Sequence, residues 1–146
     1  MIWKNYTDNL STTISYGNVI TKEYSMKSIG KNNFKSMIIN NEKFTIVEKN
    51  FTWIDSLANY GTGFCYGSIL NDNNNIILNN FCEYTDSNEN KFWSKVRRVS
   101  SNLESGLWKQ QFLKASEKNK FLLDKDCRYA ISFFREINFL AELKCQ

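Results

Sequence analysis

The stretch DSNENKFWSKVRRVSSNL, residues 86–103, has the spacing of an amphipathic helix that packs one face on a core. Asp86 with Glu89 three positions later resembles a capping box, in which two side chains bind free N–H groups of the first turn. Apolar residues then recur at the helical interval, namely Phe92, Val96, Val99 and Leu103. We therefore expect a helix here and a change of secondary structure after Tyr84.

More helix is expected on the carboxyl-terminal side of this stretch. Gly106 interrupts the pattern, and apolar pairs at 107–108 and 112–113 predict a second helical piece that ends near Ser116. From Asp126 onward a broad apolar stripe predicts a long helix packed on a sheet. The stripe consists of Cys127, Ala130, Ile131, Phe134, Ile137, Leu140 and Ala141.

The first 84 residues instead show runs of β-branched and aromatic residues joined by Asn and Gly turns. Residues 12–25, 34–48 and 63–84 each predict a hairpin, with turns at 17–18, 40–41 and 71–75. Residues 51–60 predict a short helix between Asn50, an N-cap type, and Gly61, a C-terminal stop. Strands that precede helices indicate an α+β fold, with an antiparallel sheet of hairpins packed against C-terminal helices. We expect one domain over residues 1–146, since no linker or repeat divides the chain.

Composition narrows the classes of function. The 146 residues carry a net charge of +4 and include no histidine and no proline. Without histidine, Ser-His-Asp and Cys-His nucleophiles and His-ligated metal sites are excluded. The amino terminus has no apolar core of a signal peptide and no stretch reaches the length of a membrane span, so we expect a cytoplasmic protein.

The four cysteines, Cys65, Cys82, Cys127 and Cys145, form no C-x-x-C pair, so a metal site is not expected. Without a secretory signal we expect reduced thiols that pack as small apolar groups, and two disulfides are the alternative. If Leu70 pairs with Ile76, Cys65 and Cys82 lie one position out of register, close enough for a bond.

Glycines surround Cys65 at positions 61, 63 and 67, which raises a phosphate-binding loop or a thiol nucleophile as alternatives. A phosphate loop needs a helix after it, and the thiol has no histidine base. We expect these glycines to allow close packing of strands.

A basic cluster is the candidate binding site. On the predicted helix, Lys91, Lys95 and Arg98 share one face, and Trp93 and Arg97 lie four positions apart on its flank, where their side chains can stack. Such a face binds phosphate groups or an acidic protein surface, although a solvated polar helix face is the commoner meaning of this pattern.

These observations favour a cytoplasmic binding protein that is not an enzyme and uses no cofactor. Small size, many aromatics and the Asn-, Lys- and Ile-rich composition of an AT-rich accessory gene of bacteria or phages predict an inhibitor that occupies a partner protein. An immunity protein that neutralises a toxin domain, or a phage-type anti-defence inhibitor, fits best. The alternative is a nucleic-acid-binding module that uses residues 91–98, and an enzyme acting through Cys65 or carboxylates ranks third.

Overall fold

Eight antiparallel strands form a closed barrel in the computed structural model, which describes residues 23–100 and 106–146. Each strand pairs with the next in sequence, and the first also pairs with the last. The strands are β1 (Tyr24–Ile39), β2 (Glu42–Asp55), β3 (Tyr60–Asp72), β4 (Asn75–Asp86), β5 (Lys91–Ser100), β6 (Gly106–Ala115), β7 (Cys127–Phe134) and β8 (Asn138–Cys145).

The barrel core comes from alternate residues of each strand, because successive side chains of a strand point to opposite faces. Strand β4 shows the pattern clearly, with Ile76, Leu78, Asn80, Cys82 and Tyr84 buried and the residues between them more exposed. Barrels of eight strands leave an interior that side chains fill, or that holds one small ligand.

The two ends of the barrel differ. At one end, which we call the hairpin end, β1–β2, β3–β4 and β7–β8 are joined by tight turns. At the other, a 3-10 helix (Glu117–Leu122) covers the interior: Leu122 is fully buried, and the ring of Phe121 lies 5.5 Å from that of Tyr24.

The predicted α+β class is wrong, because the carboxyl-terminal segments expected as helices are strands β5 to β8. In β5, Phe92 and Val96 face inward, but Val99, which the helical pattern places with them, is 58% exposed. The inward row also contains Ser94, which is 1% exposed and interrupts the apolar alternation that identifies a strand. In β6, buried Gln110 lies between Trp108 and Phe112 and has the same effect.

Two turns of matching sequence lie in segments that were expected to be helical. Residues 55–59 and 86–90 both read Asp-Ser-x-x-Asn, and each joins two strands. Asp86 accepts hydrogen bonds from the backbone N–H groups of Asn88 and Asn90, at 2.8 and 2.9 Å. Asp55 accepts the equivalent two bonds, so the predicted helix over 51–60 is the end of β2 followed by this turn.

The expected hairpins over 34–48 and 63–84 are confirmed, and most of the one over 12–25 lies outside the described residues. The register of the second differs from expectation by one position. Asp72 pairs with Asn75 across a two-residue loop, Asn73-Asn74, in which both residues have positive φ. This loop pairs Leu70 with Ile77 rather than with Ile76 and places Cys65 directly opposite Cys82.

Candidate functional site

The predicted basic cluster lies on strand β5, where the side chains alternate between the two faces of the sheet. Lys91, Trp93, Lys95 and Arg97 share the outer face. Arg98 is on the inner side, with its guanidinium carbon 4.4 Å from the centroid of the Trp108 ring. The expected grouping of Lys91, Lys95 and Arg98 on one helix face is therefore wrong, and four of the five candidates form a row along the strand instead.

Part of this row is engaged with Glu83 on the neighbouring strand. Lys91 Nζ lies 2.6 Å from one Glu83 carboxylate oxygen, and Trp93 Nε1 donates to the other at 2.9 Å. These two hydrogen bonds lower the pKa of Glu83. Lys114 Nζ lies 5.5 Å from the centroid of the Trp93 ring. Arg97 is four positions further along the strand, about 13 Å away, so the stacking expected on a helix is wrong.

Exposed aromatic side chains lie beside the row, and sequence reasoning missed them. Phe81 pairs with Lys95 and Tyr66 pairs with Phe81, which places the three side by side on β5, β4 and β3. Tyr66 is 60% exposed and Phe81 is 55% exposed. We call Tyr66, Phe81, Lys95 and Arg97 the outer patch.

The barrel interior contains a lysine that the sequence analysis also missed. Lys49 on β2 is 8% exposed, and its Nζ lies 5.1 Å from the centroid of the Phe139 ring. Among the described residues Lys49 forms no ion pair. Burial alone lowers the pKa of this amine from 10.5 to about 8.

Three further side chains of the interior have buried polar atoms without a partner among residues 23–100 and 106–146. They are both amide atoms of Asn32, the amide oxygen of Asn80 and the indole nitrogen of Trp108. Most buried polar atoms in proteins have a hydrogen-bond partner, and one without a partner costs about 1–3 kcal/mol. Gln110, by contrast, has partners in the interior: its Nε2 donates to the hydroxyl oxygens of Tyr84 and Ser94 at 2.8 and 2.9 Å.

These unpartnered atoms belong to residues that line two cavities, and Lys49 lines both. The inner cavity, next to Asn80 and Tyr84, has a volume of about 50 Å³. The outer cavity opens at the hairpin end, has a volume of about 230 Å³, and is lined by Asn32 and Trp108. A water molecule needs about 10–15 Å³ of such volume, so the inner cavity has room for a few waters and the outer one for a small organic molecule.

Both pairs of cysteines are disulfide-bonded, which corrects the expectation of reduced thiols. Cys65 bonds to Cys82 across β3 and β4, and Cys127 bonds to Cys145 across β7 and β8. Cys65 is therefore not available as a nucleophile. In the part of the chain that the structure describes, no group of three or more Cys, Asp or Glu is placed to hold a metal ion.

The glycines around Cys65 give room to interior side chains. A β-carbon on Gly67 would lie 1.6 Å from the Asn80 amide oxygen, and one on Gly63 would lie 2.4 Å from the Phe51 ring. Both positions require a residue without a side chain, in agreement with the packing role expected from the sequence.

Across residues 23–100 and 106–146, no helix has the length and apolar character needed to cross a membrane. No family model and no curated protein matches the chain. A solved structure does: the crystal structure of a protein with unknown function from Clostridium acetobutylicum ATCC 824, with a TM-score of 0.57 and 11% sequence identity. The match covers 85% of this chain and 97% of that one, and at this identity it shows a shared fold and nothing about activity.

Proposed function

We propose that this chain is a binding protein whose barrel interior receives a small organic molecule at the hairpin end. The observation that carries the proposal is the convergence of unpartnered polar groups on one cavity. Lys49, Asn32 and Trp108 all line the outer cavity, and each presents a donor that no described residue accepts.

The physical support is the free energy that the fold loses while these three polar groups are buried without partners. A buried ammonium without a counter-ion and an amide without partners both destabilise the fold. Ligand pockets combine apolar walls with a few such polar groups, which fix the orientation of what binds. The outer cavity has this composition, with Phe34, Phe133 and other apolar side chains around the three donors.

A panel of small apolar alcohols, amides and acids, followed by the indole N–H signal of Trp108 in NMR spectra, tests the proposal. We expect at least one compound to shift that signal in a saturable way. The substitution Val47→Phe fills the outer cavity and should abolish the shift, whereas Ile46→Phe adds the same ring on the outer face and should preserve it. Ile69→Phe serves as a second filling variant if the first does not fold. Equal binding by filled and unfilled proteins, or no binding in the whole panel, contradicts the proposal.

A second candidate is the sequence-based one, a protein-binding inhibitor of the immunity-protein or anti-defence kind. The outer patch supports it, because aromatic and Arg side chains are enriched at the centre of protein interfaces. Among the described residues, Lys95 and Arg97 form no ion pair, so the patch suits an acidic partner.

The nucleic-acid alternative uses the same patch, since stacked aromatics beside cations also bind single strands. A labelled single strand at about 50 mM salt, with wild-type protein and Phe81→Ser, separates the two. Salt-dependent binding that Phe81→Ser removes supports a nucleic-acid module. Absence of binding to the single strand favours the protein-binding inhibitor. The purified protein partner should then bind the wild-type protein more tightly than Phe81→Ser.

A cytoplasmic location remains a proposal, and one expectation that followed from it is not met. Reduced thiols were expected, and paired cysteines are instead typical of oxidising compartments. Alkylation of free thiols in intact cells before lysis decides the matter. Four modified cysteines support the cytoplasm, and four protected ones contradict it.

A further inference from the structure

The three donors of the outer cavity form a set with a particular chemistry. Lys49 and Asn32 are direct partners across β1 and β2, so their side chains start from adjacent points on the inner face. Trp108 adds an indole N–H from strand β6. An ammonium, an amide N–H and an indole N–H all donate hydrogen bonds, so these three groups suit a ligand group that accepts. The Asn32 amide oxygen, which also has no partner among the described residues, is the one acceptor beside them.

The charges around the cavity indicate the sign and size of that group. Among the described residues, Lys49 is the only cationic side chain that lines it, and Glu136 is the only acidic one. Glu136 is exposed in the turn between β7 and β8, at the rim. A single buried cation is matched by a monoanion, and a carboxylate accepts up to four hydrogen bonds in its plane.

The walls indicate the remainder of the molecule. Apart from the donors and Glu136, the cavity is lined by Phe34, Val47, Ile69, Leu78 and Phe133. Phe34 and Phe133 are partly exposed at the opening, while Val47 and Leu78 are buried deeper. An apolar body in this position buries its surface against these side chains, which favours binding in proportion to the area removed from water.

We propose that the ligand is a small apolar monocarboxylate whose carboxylate binds Lys49, Asn32 and Trp108 while its hydrocarbon part fills the outer cavity. This proposal rests on the ligand-binding function proposed above and adds the headgroup, its orientation and the residues that select it. Binding also gives the buried Lys49 ammonium a counter-ion and partners for the Asn32 and Trp108 donors.

The test compares octanoate, octanol and octylamine, which share a chain and differ in headgroup, by titration calorimetry at pH 7. We expect octanoate to bind at least about tenfold tighter than octanol, because hydrogen bonds to a charged group are stronger than neutral ones. We expect octylamine to bind most weakly, since it brings a second cation next to Lys49.

The variants assign the preference to the residues. In Lys49→Met the affinity for octanoate should fall to that for octanol, while octanol still binds. Asn32→Leu should also lower the affinity for octanoate. Lys31→Met removes a neighbouring cation from the exposed outer side of β1 and should change nothing. Retention of the octanoate preference by Lys49→Met overturns the assignment.

The outcomes separate this proposal from the function it rests on. Equal affinity of the wild-type protein for octanoate and octanol overturns the proposal of a carboxylate ligand, while the proposed binding of a small molecule in the barrel stands. Failure of all three probes also overturns the present proposal, and the panel followed by the Trp108 signal then decides the proposed function by itself.

Discussion

Replacing Lys49 with methionine should make the protein more stable at neutral pH. Methionine keeps the length of the side chain and removes a charge that burial disfavours. Lowering the pKa of Lys49 from 10.5 to about 8 corresponds to about 3 kcal/mol, at about 1.36 kcal/mol per pH unit. For a chain of this size that is a rise of about 10 °C in melting temperature.

The same pKa gives the sign of the pH dependence in the wild-type protein. Between pH 8 and 10.5 the unfolded chain keeps the Lys49 proton and the folded chain has lost it, so stability rises with pH in this window. From pH 7 to pH 9.5 the rise should be about 2 kcal/mol. Burial raises the pKa of Tyr24, Tyr84 and Tyr129, so these groups lower stability only above about pH 10.

Urea unfolding followed by tryptophan fluorescence at pH 7, 8.5 and 9.5 measures both effects. The wild-type curve should approach that of Lys49→Met as pH rises, and Lys31→Met should differ from wild type by less than about 0.5 kcal/mol at each pH. A wild-type stability that is flat over this range, or a Lys49→Met protein less stable than wild type at pH 7, would refute the reasoning.

Three other predictions concern the framework of the barrel. Replacing both Cys127 and Cys145 with alanine should lower the free energy of unfolding by about 3 kcal/mol, because the bond closes a short loop in the unfolded chain, and urea curves measure it. Asp86→Asn should lower the free energy of unfolding by about 2 kcal/mol, which the same curves measure. Burial raises the pKa of Asp86, but its hydrogen bonds outweigh burial, so the pKa lies below its ordinary value of 3.8. The stability that the charge contributes in the wild-type protein should therefore disappear as pH falls below 3.8. Ala58→Gly should raise the free energy of unfolding by about 1 kcal/mol and with it the melting temperature, since Ala58 has a φ of 64°. A lower melting temperature would contradict this.

The sequence predicted turns better than it predicted the class of fold. Asn40-Asn41 was recognised as a turn because asparagine tolerates positive φ, and Asn40 adopts a φ of 54°. The helix expected from Asp86 was wrong because an Asp that caps a helix and an Asp that closes a tight turn use the same side-chain chemistry. The repeat of Asp-Ser-x-x-Asn at 55–59 and 86–90 was the available sign that both are turns.

The candidate site was also predicted only in part. Chemical type alone identified the cations of β5, but their grouping required the correct period, so Arg98 was placed on the wrong face. Lys49 was missed because it lies between the hairpin expected over 34–48 and the helix expected over 51–60, whereas in β2 it occupies the inward register between Val47 and Phe51. The pairing of Asn32 with Lys49 was missed because it depends on the register of two long strands.

The order of the strands also has consequences for how the chain folds. Every pairing except one joins neighbours in sequence, and these hairpins need only short loops to close. The contact between β1 and β8 joins the two ends of the described chain, so it carries the largest loop-closure entropy. During synthesis, β1 has to wait for the last strand, with the edge that β8 later covers left open. Neither disulfide bridges this seam, so its closure depends on non-covalent contacts alone and should govern the folding rate.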